Sequence, residues 1–196
     1  MVDCLLTAIG HAFHTSTTEK ALYLDLIGHG RDFVSSNINL SRTVGWFTEQ
    51  IPIVIPISQS PKDTLLEVSK LRIDATKNGR LFRSLKHLDL NPQVIGQQEL
   101  KQVPDANISL NIILPSEPDA NVLAAATESK HYNHNNFHPD SQRMYEISGG
   151  VYFTDERLNF SWDFSNQLYN QQSIREFSLL CKSEYQMLLS QLLSLA

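Results

Sequence analysis

The sequence predicts an α/β protein in which a mixed β-sheet is covered by helices. Three observations carry that reading. Amphipathic helical patterns open and close the chain, and a third runs over residues 60–79. Between them lie apolar stretches of strand composition, "ALYLDLIG", "IPIVIPIS" and "ANISLNIIL". Two more strand patterns, "RMYEISGGVYF" and "RLNFSWDFS", flank a turn at Thr154–Asp155–Glu156.

Taken in order, residues 2–13 place Cys4, Leu5, Ala8, Ile9, Ala12 and Phe13 on one helical face. The strand "ALYLDLIG" is then broken by "GHGRD". "IPIVIPIS" contains Pro52 and Pro56, four residues apart, so both missing N–H donors lie on the same side. That predicts an edge strand. Ser60 can cap the next helix, Pro61 suits its first position, Asp63 sits where a capping box wants an acid, and Gly79 is expected to end it in the left-handed conformation. Residues 81–103 carry no decisive pattern, and residues 122–139 are polar and rich in Asn and His. The last helix is expected to start at the box Ser173-x-x-Glu176.

The chain has 196 residues, enough for one domain or two small ones. Its net charge of −5 offers no basic stripe for phosphates, so a nucleic-acid role is not expected. No apolar run is long enough to span a bilayer, and "MVDCLLTAIGHAFHTS" lacks a basic leader and a cleavage site. Cys4 and Cys181 each lie in an apolar helical pattern, which reads as free thiols rather than a disulfide framework. A reduced, cytoplasmic setting is the expectation.

Two stretches invite a chemical reading. In "GHGRD", Gly28 and Gly30 permit a sharp turn and close approach, His29 can handle a proton near neutral pH, and Arg31 offers a planar fork for a carbonyl, phosphate or carboxylate. Read alone, the motif is more often a structural turn in which Arg31 pairs with Asp25 or Asp32 and His29 is merely hydrogen-bonded. In "TVGWFT", Trp46 and Phe47 read as packing residues, while Gly45 and Thr48 suit a loop beside a channel. His131, His134 and His138 have metal-ligand spacing only on a helix, which the surrounding Asn residues and Pro139 disfavour; a solvated loop and no metal site is the expectation.

Together, "LLTAIGHAF", "LYLDLIGHGRD", "LSRTVGWFTEQIPIVI" and "SQRMYEISGGVYFTDERLNFSWDFS" resemble the C-terminal lobe of a condensation-type domain of nonribosomal peptide synthetases, nearest to the epimerisation branch. The family pattern is Glu-Gly-His-Gly-Arg-Glu followed by Arg-Thr-Val-Gly-Trp-Phe-Thr. Gly28, His29, Gly30 and Arg31 match the first, with Asp32 for its last Glu, and residues 42–48 match the second in full. The resemblance implies a single chloramphenicol-acetyltransferase-like lobe over residues 1–196, one half of a two-lobed cleft. The family's His-His-x-x-x-Asp-Gly motif belongs to the other lobe and is absent here. Ile27 stands where the family has the first Glu of its turn motif, and a branched aliphatic side chain carries no proton. Asn111 keeps the Asn of a later Phe-Asn-Tyr-Leu-Gly motif, whereas its Tyr and Gly are replaced by Ile112 and Leu114. A glycine-rich motif is reduced to Gly79 and Phe82.

By resemblance, the substrate channel would be lined by Gly28, His29, Gly30, Arg31, Thr48 and Asn111, with Arg31 orienting a carbonyl or a pantetheine arm and no catalytic residue of its own. No cofactor binds directly; a phosphopantetheine arm on a peptidyl carrier protein brings the thioester. The expected partners are that carrier and a missing N-terminal lobe on another chain, or a second copy. Three readings stand side by side: a lobe active only when its partner docks, a non-catalytic docking module, and a truncated remnant. Each predicts an exposed apolar patch or a dimer near the first helix, the proline-bearing strand and the "GHGRD" turn.

Overall fold

The computed structural model describes residues 1–31, 38–40, 42–88, 96–113, 142–154 and 157–194. The elements follow in the order α1 (Val2–Thr17), β1 (Ala21–Gly28), β2 (Glu49–Pro56), α2 (Pro61–Asn78), α3 (Phe82–His87), α4 (Gln97–Gln102), β3 (Ile108–Ile113), β4 (Ile147–Thr154), β5 (Arg157–Phe164) and α5 (Gln171–Leu193). The strands form one mixed sheet of order β2-β1-β3-β4-β5. β1, β3 and β4 run parallel at its centre, while β2 and β5 pair antiparallel at its edges. The expected α/β architecture is therefore present, and the two-proline strand is an edge strand.

Alternation along the strands gives the sheet two unlike faces. On one, Leu22, Leu24, Leu26, Ile53, Ile55, Leu110 and Val151 meet the apolar stripes of α1, α2 and α5 in a single core. Leu5 and Leu6 of α1, Val68 of α2 and Cys181 of α5 are each 0% exposed there. Each fully buried Leu or Ile contributes about 1.5–3 kcal/mol. The first helix is thus core rather than exposed patch. On the second face stand Tyr23, Asp25 and Ile27 of β1, Ser109 and Asn111 of β3, and Ser148 and Gly150 of β4.

Polar ties fix the helices to this frame. Arg72 of α2 pairs with Asp3 of α1. His11 of α1 meets Thr64 of α2 at 3.1 Å, and the same hydroxyl accepts the Ser58 N–H at 3.0 Å. Thr64 is fully buried, so this three-way contact satisfies its hydroxyl. Ser60 caps α2 by accepting from the Asp63 N–H, with Pro61 at the first position, as the sequence suggests.

Two local expectations are corrected. Gly79 does not adopt a left-handed angle: its φ is −84°, because the chain runs on through a helical turn toward α3. The left-handed terminator is Thr18 after α1, at φ 65°. The last helix begins at Gln171, two residues before Ser173, and is capped by Asn170, whose side chain accepts from the Gln172 N–H. The unpatterned stretch 81–103 supplies α3 and α4. The strands around residues 154–156 form the expected hairpin, although Asp155 and Glu156 lie outside the described residues. Cys4 and Cys181 are free thiols, and burial pushes the Cys181 thiol well above its ordinary pKa. No described helix is long and apolar enough to cross a membrane.

Candidate functional site

β1 ends at Gly28, paired with Glu49 at the start of β2. This pairing brings the two sequence motifs to one end of the sheet. A Cβ on Gly28 would sit 2.9 Å from a Glu49 carboxylate oxygen. Gly30 is more constrained, with φ +65° and a hypothetical Cβ only 1.7 Å from the Phe47 carbonyl oxygen. No other residue type fits there without moving the second motif.

Arg31 completes the lock. Its Nη1 donates to the carbonyls of Leu40 and Thr43, each at 3.0 Å, and its Nη2 reaches the Gly45 carbonyl at 3.5 Å. The guanidinium also lies over the Phe47 ring, 4.4 Å from its centroid. Arg31 thus organises the loop that carries the second motif, and Asp25, its suggested partner from sequence, pairs with Arg83 instead. Asp32 lies outside the described residues. The His29 ring accepts the Arg31 backbone N–H at 3.2 Å, folding that imidazole back over its own turn.

Held in this way, the loop turns Phe47 inward and leaves Val44 100% and Trp46 90% exposed. Trp46 is therefore not a packing residue. Thr48 is exposed beside it, one residue before β2. Asn111 is exposed on β3, in register with Ile27. Gly28, His29, Gly30, Arg31 and Thr48 gather at one end of the sheet, and Asn111 joins them on the neighbouring strand. His131, His134 and His138 lie outside the described residues, among which no group of His, Cys, Asp and Glu could hold a metal ion.

The second face around Ile27 carries little acid–base chemistry. In register, Ile27 is flanked by the neutral amides Gln50 and Asn111. Glu49 stands on the opposite, helix-covered face and is paired with Arg80 at 3.1 Å. Asp25, two residues before Ile27 on the same face, is 1% exposed. Its carboxylate pairs with Arg83 and accepts from the Tyr145 hydroxyl at 2.7 Å. Burial, reinforced by the hydrogen bond to Asp25, pushes the Tyr145 phenol well above its ordinary pKa.

This buried network escaped the sequence reading. Its one signal was an acid in the middle of an apolar strand. Arg83 also approaches Asp105 at 3.6 Å, and Lys86 donates to Asp105 at 2.7 Å and to the Val103 carbonyl at 2.6 Å. The hydrogen bond from Lys86 holds the Asp105 carboxyl below its usual range. An open cleft of about 540 Å³ lies beside Lys86, His87 and Lys101, and none of its lining residues belongs to the two motifs.

A mixed sheet sealed by helices on one face, with paired motifs locked at one end of its central strands, defines a lobe of the chloramphenicol-acetyltransferase-like class. The chain belongs to the condensation domain family, whose model matches residues 1–195. It is 31% identical over 180 residues to a polypeptide of the linear gramicidin synthase of Brevibacillus parabrevis, a match that takes in 90% of this chain and 3% of that protein. To tyrocidine synthase 1 of Brevibacillus parabrevis it is 25% identical over 187 residues, or 90% of this chain and 17% of that one. Among solved structures, the epimerization domain from the third module of tyrocidine synthetase B superposes with a TM-score of 0.76 at 25% identity. That match covers 94% of this chain and 41% of the other. PapA2 acyl transferase shares the fold with a TM-score of 0.62 at 17% identity, covering 94% of this chain and 38% of that one. The chain thus spans less than half of each of these proteins.

Proposed function

We propose that this chain is the C-terminal half of a condensation- or epimerisation-type domain in nonribosomal peptide biosynthesis, acting on aminoacyl or peptidyl thioesters carried by the phosphopantetheine arm of a carrier protein. The observation that carries the reading is the pairing of two family motifs, locked by Gly30 and Arg31, with an aliphatic side chain in place of an acid beside them at Ile27. The half-site shapes and lines a channel through Gly28, His29, Gly30, Thr48 and Asn111, while proton transfer falls to a histidine of the family's other lobe. Arg31 spends its donors on the chain's own carbonyls, so its part in the channel is to set the loop wall. Alone, the chain neither epimerises nor condenses.

Epimerisation removes and returns an α-proton, which needs ionisable groups at the site. Condensation asks less of this half, and a separate chain that supplied the other lobe would make it possible. The purified chain, mixed with a carrier loaded with an L-aminoacyl thioester, is expected to leave the stereocentre unchanged. Mixed as well with a polypeptide bearing the His-His-x-x-x-Asp-Gly lobe and a second loaded carrier, it is expected to support peptide-bond formation. Stereochemical scrambling by the chain alone would overturn the reading.

A second reading, docking without turnover, is favoured by the exposure of Val44 and Trp46 on a firmly held loop. It predicts carrier binding that Trp46→Ala weakens and that no added lobe converts into product.

A further inference from the structure

The two edges of the sheet are built differently. β2 carries Pro52 and Pro56 and is packed by α2 and α3, so its outer edge is closed to further pairing. β5 has no proline over its eight residues and pairs only with β4 among the described strands. Its core-facing side chains, Leu158, Phe160 and Trp162, remain partly exposed although they pack against the core. An edge strand with apolar side chains that no described strand pairs on its outer side is a template for another strand.

We propose that the edge of β5 pairs antiparallel with β5 of a second copy of this chain, about a two-fold axis through Phe160. The argument is register. With Phe160 opposite its own copy, Arg157 faces Asp163 of the second copy, and the symmetry repeats that ion pair at the other end. Leu158 then faces Trp162 on the core side, and Asn159 faces Ser161 on the other. Moving the axis to Ser161 sets Asn159 against Asp163 and leaves Arg157 beyond the partner strand. Moving it to Asn159 sets Arg157 against Ser161. Only the Phe160 register joins both charges. Asp163 meets Arg143 at 3.0 Å, yet its side chain is still 67% exposed and can accept a second cation. This surface is separate from the motif-bearing end of the sheet, and the inference does not rest on the catalytic reading.

Two eight-residue strands bury less than a standard interface of roughly 1,600 Å², so the dimer is weak, with a dissociation constant on the order of 10–100 μM. Sedimentation of the full chain at rising concentration, up to about 500 μM, is expected to show a monomer–dimer equilibrium. Arg157→Glu and Asp163→Arg each replace two opposite-charge contacts by like-charge ones, and each is expected to weaken association about tenfold or more. Mixing the two variants restores opposite charges at both ends and returns association to the wild-type level. Circular dichroism on each variant reads the fold separately. A wild-type chain that stays monomeric throughout overturns the proposal. So do single variants that dimerise like the wild type, or a mixture that associates no better than either variant alone.

Discussion

Arg31→Met removes the fork that holds the second motif while keeping a side chain of similar length. Two carbonyl contacts at 3.0 Å, from a cation, are lost, together with a weaker one at 3.5 Å and the stacking on Phe47. Hydrogen bonds from charged groups contribute about 1.5–3 kcal/mol when desolvated, but most of these contacts are exposed, which brings the better two to about 1 kcal/mol each. Stacking at a partly exposed site adds about 0.5–1 kcal/mol. The sum, about 2–3 kcal/mol, is local to the loop rather than spread through the core, because the sealed face of the sheet does not touch it. Hydrogen exchange at the backbone amides of residues 42–48 should accelerate by about thirtyfold or more, with little change in strands β1, β3 and β4. Arg31→Lys should restore only part of the protection, since one ammonium cannot span three carbonyls. Unchanged exchange in the loop, or equal acceleration throughout the molecule, would refute the assignment of Arg31 as the loop's organiser.

Gly30→Ala places a Cβ against the Phe47 carbonyl at a left-handed φ; urea unfolding should show a loss of about 2 kcal/mol or more, and a loss below about 0.5 kcal/mol would mean the close approach is not needed. Asp25→Ala takes the buried carboxylate from Arg83 and the Tyr145 hydroxyl, leaving Arg83 with Asp105 at 3.6 Å, and should cost about 2–3 kcal/mol in the same assay, whereas the apolar triple change Asp25→Leu, Arg83→Met, Tyr145→Phe should recover most of it. Burial, aided by nearby His14, lowers the His11 pKa below its ordinary 6.5, so the folded state binds fewer protons than the unfolded one. Stability from this group is full above about pH 6.5 and declines as the pH falls through that value. His11→Ala should flatten the slope of unfolding free energy between about pH 7 and 5.

Much of the fold follows from local chemistry that a sequence displays. The edge position of β2 is written in two prolines, and the start of α2 in Ser60, Pro61 and Asp63, because these act within a few residues of themselves. The motif pair was legible for the same reason, and so was the aliphatic Ile27 beside it. The lock between the motifs was not, since it depends on the Phe47 carbonyl meeting Gly30 in space. Trp46 illustrates the limit well. Its neighbour Phe47 takes the buried side of the loop under Arg31, and the indole is turned outward by that choice. Asp25 could be suspected from its apolar setting, but Arg83 and Tyr145 lie 58 and 120 residues away along the chain, and no short-range pattern links them. At the ends of α2 and α5, several capping residues compete within one turn, and tertiary direction decides among them.

The one-sided core has an evolutionary consequence. Stability resides with the leucines and isoleucines under the helices, so exposed and half-exposed residues of the second face, outside the buried Asp25–Arg83–Tyr145 network, can drift with little effect on folding. An acid there can give way to Ile27 without the lobe losing its shape. A duplicated copy stripped of chemistry would therefore persist as a well-folded chain, open to recruitment as a scaffold, a binder or a regulator of the enzyme from which it descended.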